Sequence, residues 1–108
     1  MKDPFPPIEQ LIPHRGRSVL LSKVVSHTRA ETICSARVDP FGIYANADGN
    51  VPSVFSIEYL AQAVAVHAGL ALGGGSARVG LLLGARNYRI SVPFLESRQG
   101  LRACVRRC

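Results

Sequence analysis

The chain has 108 residues, enough for one domain and too few for two, so residues 1–108 read as a single unit. Hydrophobic residues make up 47%, which supplies a core and excludes a disordered tail, and the polar, proline-rich start MKDPFPPIEQ argues against a signal peptide. The net charge of +6 is uneven: from Arg86 onward, Arg86, Arg89, Arg98, Arg102, Arg106 and Arg107 face only Glu96. A basic stretch of this kind fits either an acidic partner or a solvated strand face. Nucleic acid is not expected, because aromatic interleaving and any helix-turn-helix pattern are missing. Cys34, Cys104 and Cys108 match no metal-ligand spacing, so no metal site is expected and the thiols read as reduced, in a cytoplasmic protein.

In chain order, Pro4, Pro6 and Pro7 open an extended lead-in, IEQLI forms one helical turn, and Pro13 ends it. SVLLSKVVSH (18–27) and AETICSARV (30–38) carry the Val, Ile and Thr of two strands, and the short polar link between them predicts a hairpin. His27 falls in that turn and is expected to be solvated. DPFGIYANADGNVPS (39–53) has the Pro, Gly, Asn and Asp of a long loop, functional or mobile. Pro52 suits the first turn of a helix that Ser53 or Asn50 would cap, running to about Leu72, where GGGS stops it.

That run, Val51 to Leu72, is apolar on nearly every face. It carries Glu58, Gln62 and His67, and a central charge is costly in lipid, so it reads as a helix buried in a soluble domain and not as a membrane span. ARVGLLLGARNYRISVPF (77–94) is a long strand signal, and GLRACVRRC (100–108) opens another. A helix of this character needs something wrapped around it, and a curved antiparallel sheet can do that.

Glu58 is the acid in question. Glu58 and Gln62 are four apart and share a helix face, with Glu58 close to the positive end of the helix dipole. Partial desolvation raises the pKa of such a carboxyl, while the dipole and an amide act the other way. The result is a group suited to proton transfer, beside helix N-terminal N–H groups that can hold a polarised carbonyl oxygen. That pairing suits enolate chemistry on a thioester. The alternative is a structural acid bonded to backbone or to a cation. His67 lies more than two turns further on and reads as a satisfied core or interface histidine.

LIPHRGRSVLLSKVV, DPF and IEYLAQA, in this order, resemble the hotdog-fold 3-hydroxyacyl-[acyl-carrier-protein] dehydratases, and most closely the divergent branch found in aryl polyene gene clusters. The resemblance implies an α+β hotdog fold, a curved antiparallel sheet wrapped around a long central helix, working as a homodimer or heterodimer. It implies loss of water from a 3-hydroxyacyl thioester on an acyl carrier protein, with no cofactor, by a loop His and a helix acid from different subunits. The helix acid matches Glu58 and the helix amide matches Gln62. The position whose backbone N–H polarises the thioester carbonyl is Ser53, and Phe55, Leu60 and the GLLLG segment would line the substrate.

The family's loop His has no counterpart in 39–53; counting back from Ser53 without gaps reaches Tyr44, and His14 in PHRG is the other candidate base. A phenol is a weak base at neutral pH, with a reference pKa near ~10. Either His14 or Tyr44 serves a variant site, or a partner subunit supplies the His. The family fold also continues with further strands after the segment matching 100–108, so an unpaired sheet edge is expected here. Three readings stay open: a dehydratase or dehydratase subunit, a non-catalytic acyl-binding hotdog subunit, and an acyl thioesterase.

Overall fold

The structure is a computed structural model that describes residues 4–71 and 94–106. Pro7 precedes a single turn, α1 (Ile8–Leu11), which buries Ile8 and Leu11. Gly16, at a left-handed φ of 61°, then lets the chain turn into a 3-10 turn over Gly16–Ser18, where the Arg15 N–H donates to the Ser18 hydroxyl and that hydroxyl donates back to the Arg15 carbonyl. The strand expected from residue 18 therefore begins at Leu21.

β1 (Leu21–His27), β2 (Glu31–Arg37) and β5 (Gly100–Arg106) form an antiparallel sheet in the order β1-β2-β5. β2 alternates strictly, burying Thr32, Cys34 and Ala36. β1 does not: its buried residues, Leu21 and Val24, are three apart. Two register shifts, between Leu21 and Lys23 and between Val24 and Ser26, return both to the inner face. The inner face then reads in rows: Leu21–Ala36–Leu101, Val24–Cys34–Ala103 and His27–Thr32–Val105.

The 39–53 loop is folded on its own hydrogen bonds. The Asp39 carboxylate accepts from Phe41 N–H, and the Asn46 side-chain oxygen accepts from Asp48 and Asn50 N–H. The Asn50 side chain is spent on Ser97 N–H and does not cap the helix. Pro52 lies in a short strand β3 (Val51–Pro52), paired with β4 (Phe94–Leu95), and the helix is entered through a 3-10 turn, Ser53–Phe55, that no side chain at Pro52 caps. The capping expected from Asn50 or Ser53 is thus replaced by strand pairing that fixes the entry.

α2 (Ser56–Ala71) lays Tyr59, Gln62, Ala63, Val66 and Gly69 inward against the sheet and α1. Its own span with the preceding turn, Ser53–Ala71, is long and apolar enough to cross a membrane by composition, but here this stripe joins one core with Ile8, Leu11, Val24 and Cys34. Each such aliphatic side chain contributes about 1.5–3 kcal/mol on burial. Gly69 makes room for α1: a Cβ there would stand 2.9 Å from the Leu11 carbonyl oxygen. The 77–94 strand signal, with GLLLG, Arg86 and Arg89, lies outside the described residues apart from Phe94, and so does Arg107.

Candidate active site

Glu58 sits in the first turn of α2 and is half-buried. Among the described residues the one ion pair is Arg106 with Glu31, 2.7 Å, at the end of β5, and Glu58 has neither an ion-pair nor a hydrogen-bond partner. The Arg106 guanidinium holds the Glu31 carboxyl below its ordinary range. The basic stretch is thus partly neutralised on the outer sheet face.

Gln62, one turn on, is 1% exposed and fully occupied. Its amide N–H donates to the Ser18 carbonyl (2.7 Å) and its oxygen accepts from Leu20 N–H (2.9 Å). The amide therefore straps the segment after PHRG onto the helix, one turn from Glu58, where the resemblance implied a contact with substrate. His14 lies just before that segment. Its ring is half-buried, and its Nδ1 is buried with no hydrogen-bond partner among the described residues. Arg15 reaches back to the Ile12 and His14 carbonyls, fixing the backbone on either side of the ring.

Tyr44 and Phe55 come together, their rings stacked at 4.5 Å between centroids and 23° between planes. Tyr44 also lines a cavity of about 220 Å³ between the start of α2, the loop and the ends of β1 and β2. Arg17, Arg37, Asp39, Val51 and Tyr59 share that lining; Glu58 and His14 do not. The sequence reading missed Tyr59, although it directly follows Glu58. A helix advances about 100° per residue, so neighbours in sequence serve different faces. Burial, and then the Asp39 carboxylate, push the Tyr59 hydroxyl above its ordinary pKa and keep it a donor.

His27 is not in a solvated turn. It closes β1 opposite Thr32, its Nδ1 is 2.7 Å from the Thr32 hydroxyl, and its ring lies 5.2 Å from that of His67. His67 Nδ1 reaches the same hydroxyl at 2.6 Å. A hydroxyl has one proton, so it donates to one imidazole and accepts from the other. His67 is the satisfied core histidine the sequence suggested, and neither ring turns toward Glu58's end of the helix.

An antiparallel sheet packed on a central helix that carries an acid in its first turn and an amide in its second is the hotdog architecture. The chain belongs to the ApeP-like dehydratase family: the ApeP dehydratase family model matches residues 6–108. A solved structure, the dehydratase heterocomplex ApeI:P from Xenorhabdus doucetiae, includes a chain similar to this one, with TM-score 0.83 and 30% sequence identity. The match covers 94% of this chain and 71% of that one. No curated protein matches the chain.

Proposed function

We propose that this protein is the acid-bearing subunit of a two-subunit dehydratase that removes water from a 3-hydroxyacyl thioester on an acyl carrier protein. The observation that carries this reading is Glu58: a half-buried carboxyl at the start of α2, with neither an ion-pair partner nor a histidine hydrogen-bonded to it among the described residues. His27 and His67 are tied to Thr32, and the loop position expected to hold the base is Tyr44, stacked on Phe55. The likeness to a dehydratase heterocomplex supports a second subunit as the source of the base.

In this scheme the partner's base takes the α-proton and the C–H electron pair becomes the enolate. That pair then forms the C=C bond as the β C–O bond breaks, and the hydroxyl leaves as water with a proton from Glu58. The Ser53 N–H, at the entrance to the helix, would polarise the thioester carbonyl. Elimination asks only for proton transfer and carbonyl polarisation, so the reaction calls for no cofactor, and the Arg102 side of β5 offers positive charge to an acidic carrier.

The test is an enoyl-product assay on a carrier-bound 3-hydroxyacyl thioester. The full chain is used alone and then mixed with a hotdog dehydratase subunit that carries a loop His. The mixture is expected to turn over, and Glu58→Gln in this chain to cut the rate by about 10²–10⁴-fold. An unchanged rate in the Glu58→Gln mixture would overturn the reading and leave this chain as a non-catalytic acyl-binding subunit, which the missing loop His favours. Full-speed turnover by the chain alone would remove the need for a partner's base. Free acid in place of enoyl product would make it a thioesterase.

A further inference from the structure

The cavity beside Tyr44 is separate from Glu58 and carries its own chemistry. Tyr59 is 5% exposed, lines this cavity, and its hydroxyl has no hydrogen-bond partner among the described residues. The ring is buried while the hydroxyl itself opens on the cavity, so its proton is free to be donated to whatever occupies that space. Arg17 and Arg37 are exposed and line the same space, which places them at its rim. Each spends a guanidinium N–H on a backbone carbonyl, Arg17 on Phe41 and Arg37 on Arg98, and neither is ion-paired among the described residues. A guanidinium has five N–H donors, so both keep several free.

The charge balance decides the sign of the ligand. Two guanidiniums face one carboxylate, Asp39, and that carboxylate already accepts from Phe41 N–H. The remaining walls are largely apolar: Val19, Leu20, Leu21, Ile43 and Val51. A cavity of about 220 Å³ is many times what a single water needs, roughly 10–15 Å³ on the same measure. The space suits a group of several heavy atoms, not a lone ion and not a long chain.

We propose that this cavity binds a small oxyanion with a short apolar body, a carboxylate or phosphate held between Arg17 and Arg37 and accepting the hydroxyl proton of Tyr59. The forked guanidinium matches two oxyanion oxygens, and the phenol supplies a third donor. The site is independent of the dehydration reading, because neither Glu58 nor His14 lines it.

The test titrates the full chain, labelled with 13C in its tyrosine rings, with butyrate, with butyramide as the neutral control, and with inorganic phosphate. NMR reports the Tyr59 and Tyr44 signals, assigned from the Tyr59→Phe and Tyr44→Phe variants. Butyrate is expected to shift both signals saturably, and butyramide to shift neither. Tyr59→Phe, which keeps the ring, should weaken butyrate binding about fivefold or more. Arg37→Gln should weaken it about tenfold, with Arg37→Lys restoring part of the loss. Phosphate binding with the same variant dependence would support the oxyanion site and show that the apolar body is dispensable. Butyrate and butyramide binding equally, no saturable shift with either anion, or Tyr59→Phe and Arg37→Gln binding butyrate as the parent does would each overturn the proposal.

Discussion

The two halves of α2 are built to different rules. From Gln62 onward the inward polar groups have partners: Gln62 bonds backbone at both ends, and His67 meets Thr32. Ala63 and Val66 are fully buried, and Gly69 takes the Leu11 carbonyl against its backbone. In the first turn, Glu58 has no partner among the described residues, and the Tyr59 hydroxyl opens on a cavity without one. One half of the helix is an anchor. The other half holds groups left without partners among the described residues, as a site kept open to a ligand requires. The difference teaches that Gln62 and Glu58, alike in face and spacing, divide the labour: the amide holds the frame and the acid is left available.

The sharpest way to break that contrast is to take the strap away. Gln62→Leu would leave the Ser18 carbonyl and the Leu20 N–H without their partner beside a buried side chain. With each orphaned group costing about 1–3 kcal/mol, a loss of about 2–4 kcal/mol is expected in urea unfolding. Gln62→Glu, which in its protonated form keeps an acceptor for Leu20 and one donor for Ser18, should fall between. If Gln62→Leu left stability unchanged and weakened only substrate binding, the amide would belong with Glu58 and the two halves would not differ.

Cys34 sharpens the comparison from the sheet beneath. It is fully buried in the Val24–Cys34–Ala103 row, and burial pushes its thiol from an ordinary 9.0 up to about 11. The unfolded thiol ionises first as pH rises, so the folded state keeps its full contribution below pH 9 and loses it progressively toward pH 11. Two pH units at ~1.36 kcal/mol each give a loss of about 2–3 kcal/mol. Tyr59, also held protonated by burial, adds a loss of the same sign above its ordinary range. Cys34→Ala should flatten the alkaline limb of a stability-against-pH curve relative to the parent. Identical curves would mean that water reaches the thiol and that this part of the core is open.

Much of this frame was legible in the sequence because it rests on short-range rules. The turn at IEQL, the hairpin of β1 and β2 and the long helix follow from proline positions, β-branched runs and apolar spacing. The hotdog fold itself came through the resemblance. What was not legible depended on partners distant in sequence. Nothing local says that Gln62 bonds residues 42 and 44 positions away, or that Asn50 meets Ser97 and so cannot cap a helix. The bulges of β1, which turn His27 inward, are set by pairing with β2 and leave only a three-residue spacing between Leu21 and Val24 as their trace. Tyr59 carries no local signal of its role, because it faces about 100° away from Glu58 and the cavity it lines is assembled from four separate stretches of chain.

The smallest effect expected is at Gly69. Two terms oppose each other there. Alanine in place of glycine within a helix gains about 1 kcal/mol from propensity. Against that, the new Cβ would stand 2.9 Å from a backbone oxygen, a separation real Cβ atoms do not tolerate, so α1 must shift. Overpacking of this kind costs about 1–3 kcal/mol, and the single turn of α1, Ile8–Leu11, can move more easily than a long helix. The net is a loss of about 1 kcal/mol or less, read as a drop of a few degrees in Tm. Hydrogen exchange at the Ile12 N–H, which bonds to the Ile8 carbonyl, should speed up more than the global change accounts for. A net gain in stability would show that α1 rests loosely on the helix, and the anchored half would then begin at the Gln62 strap alone.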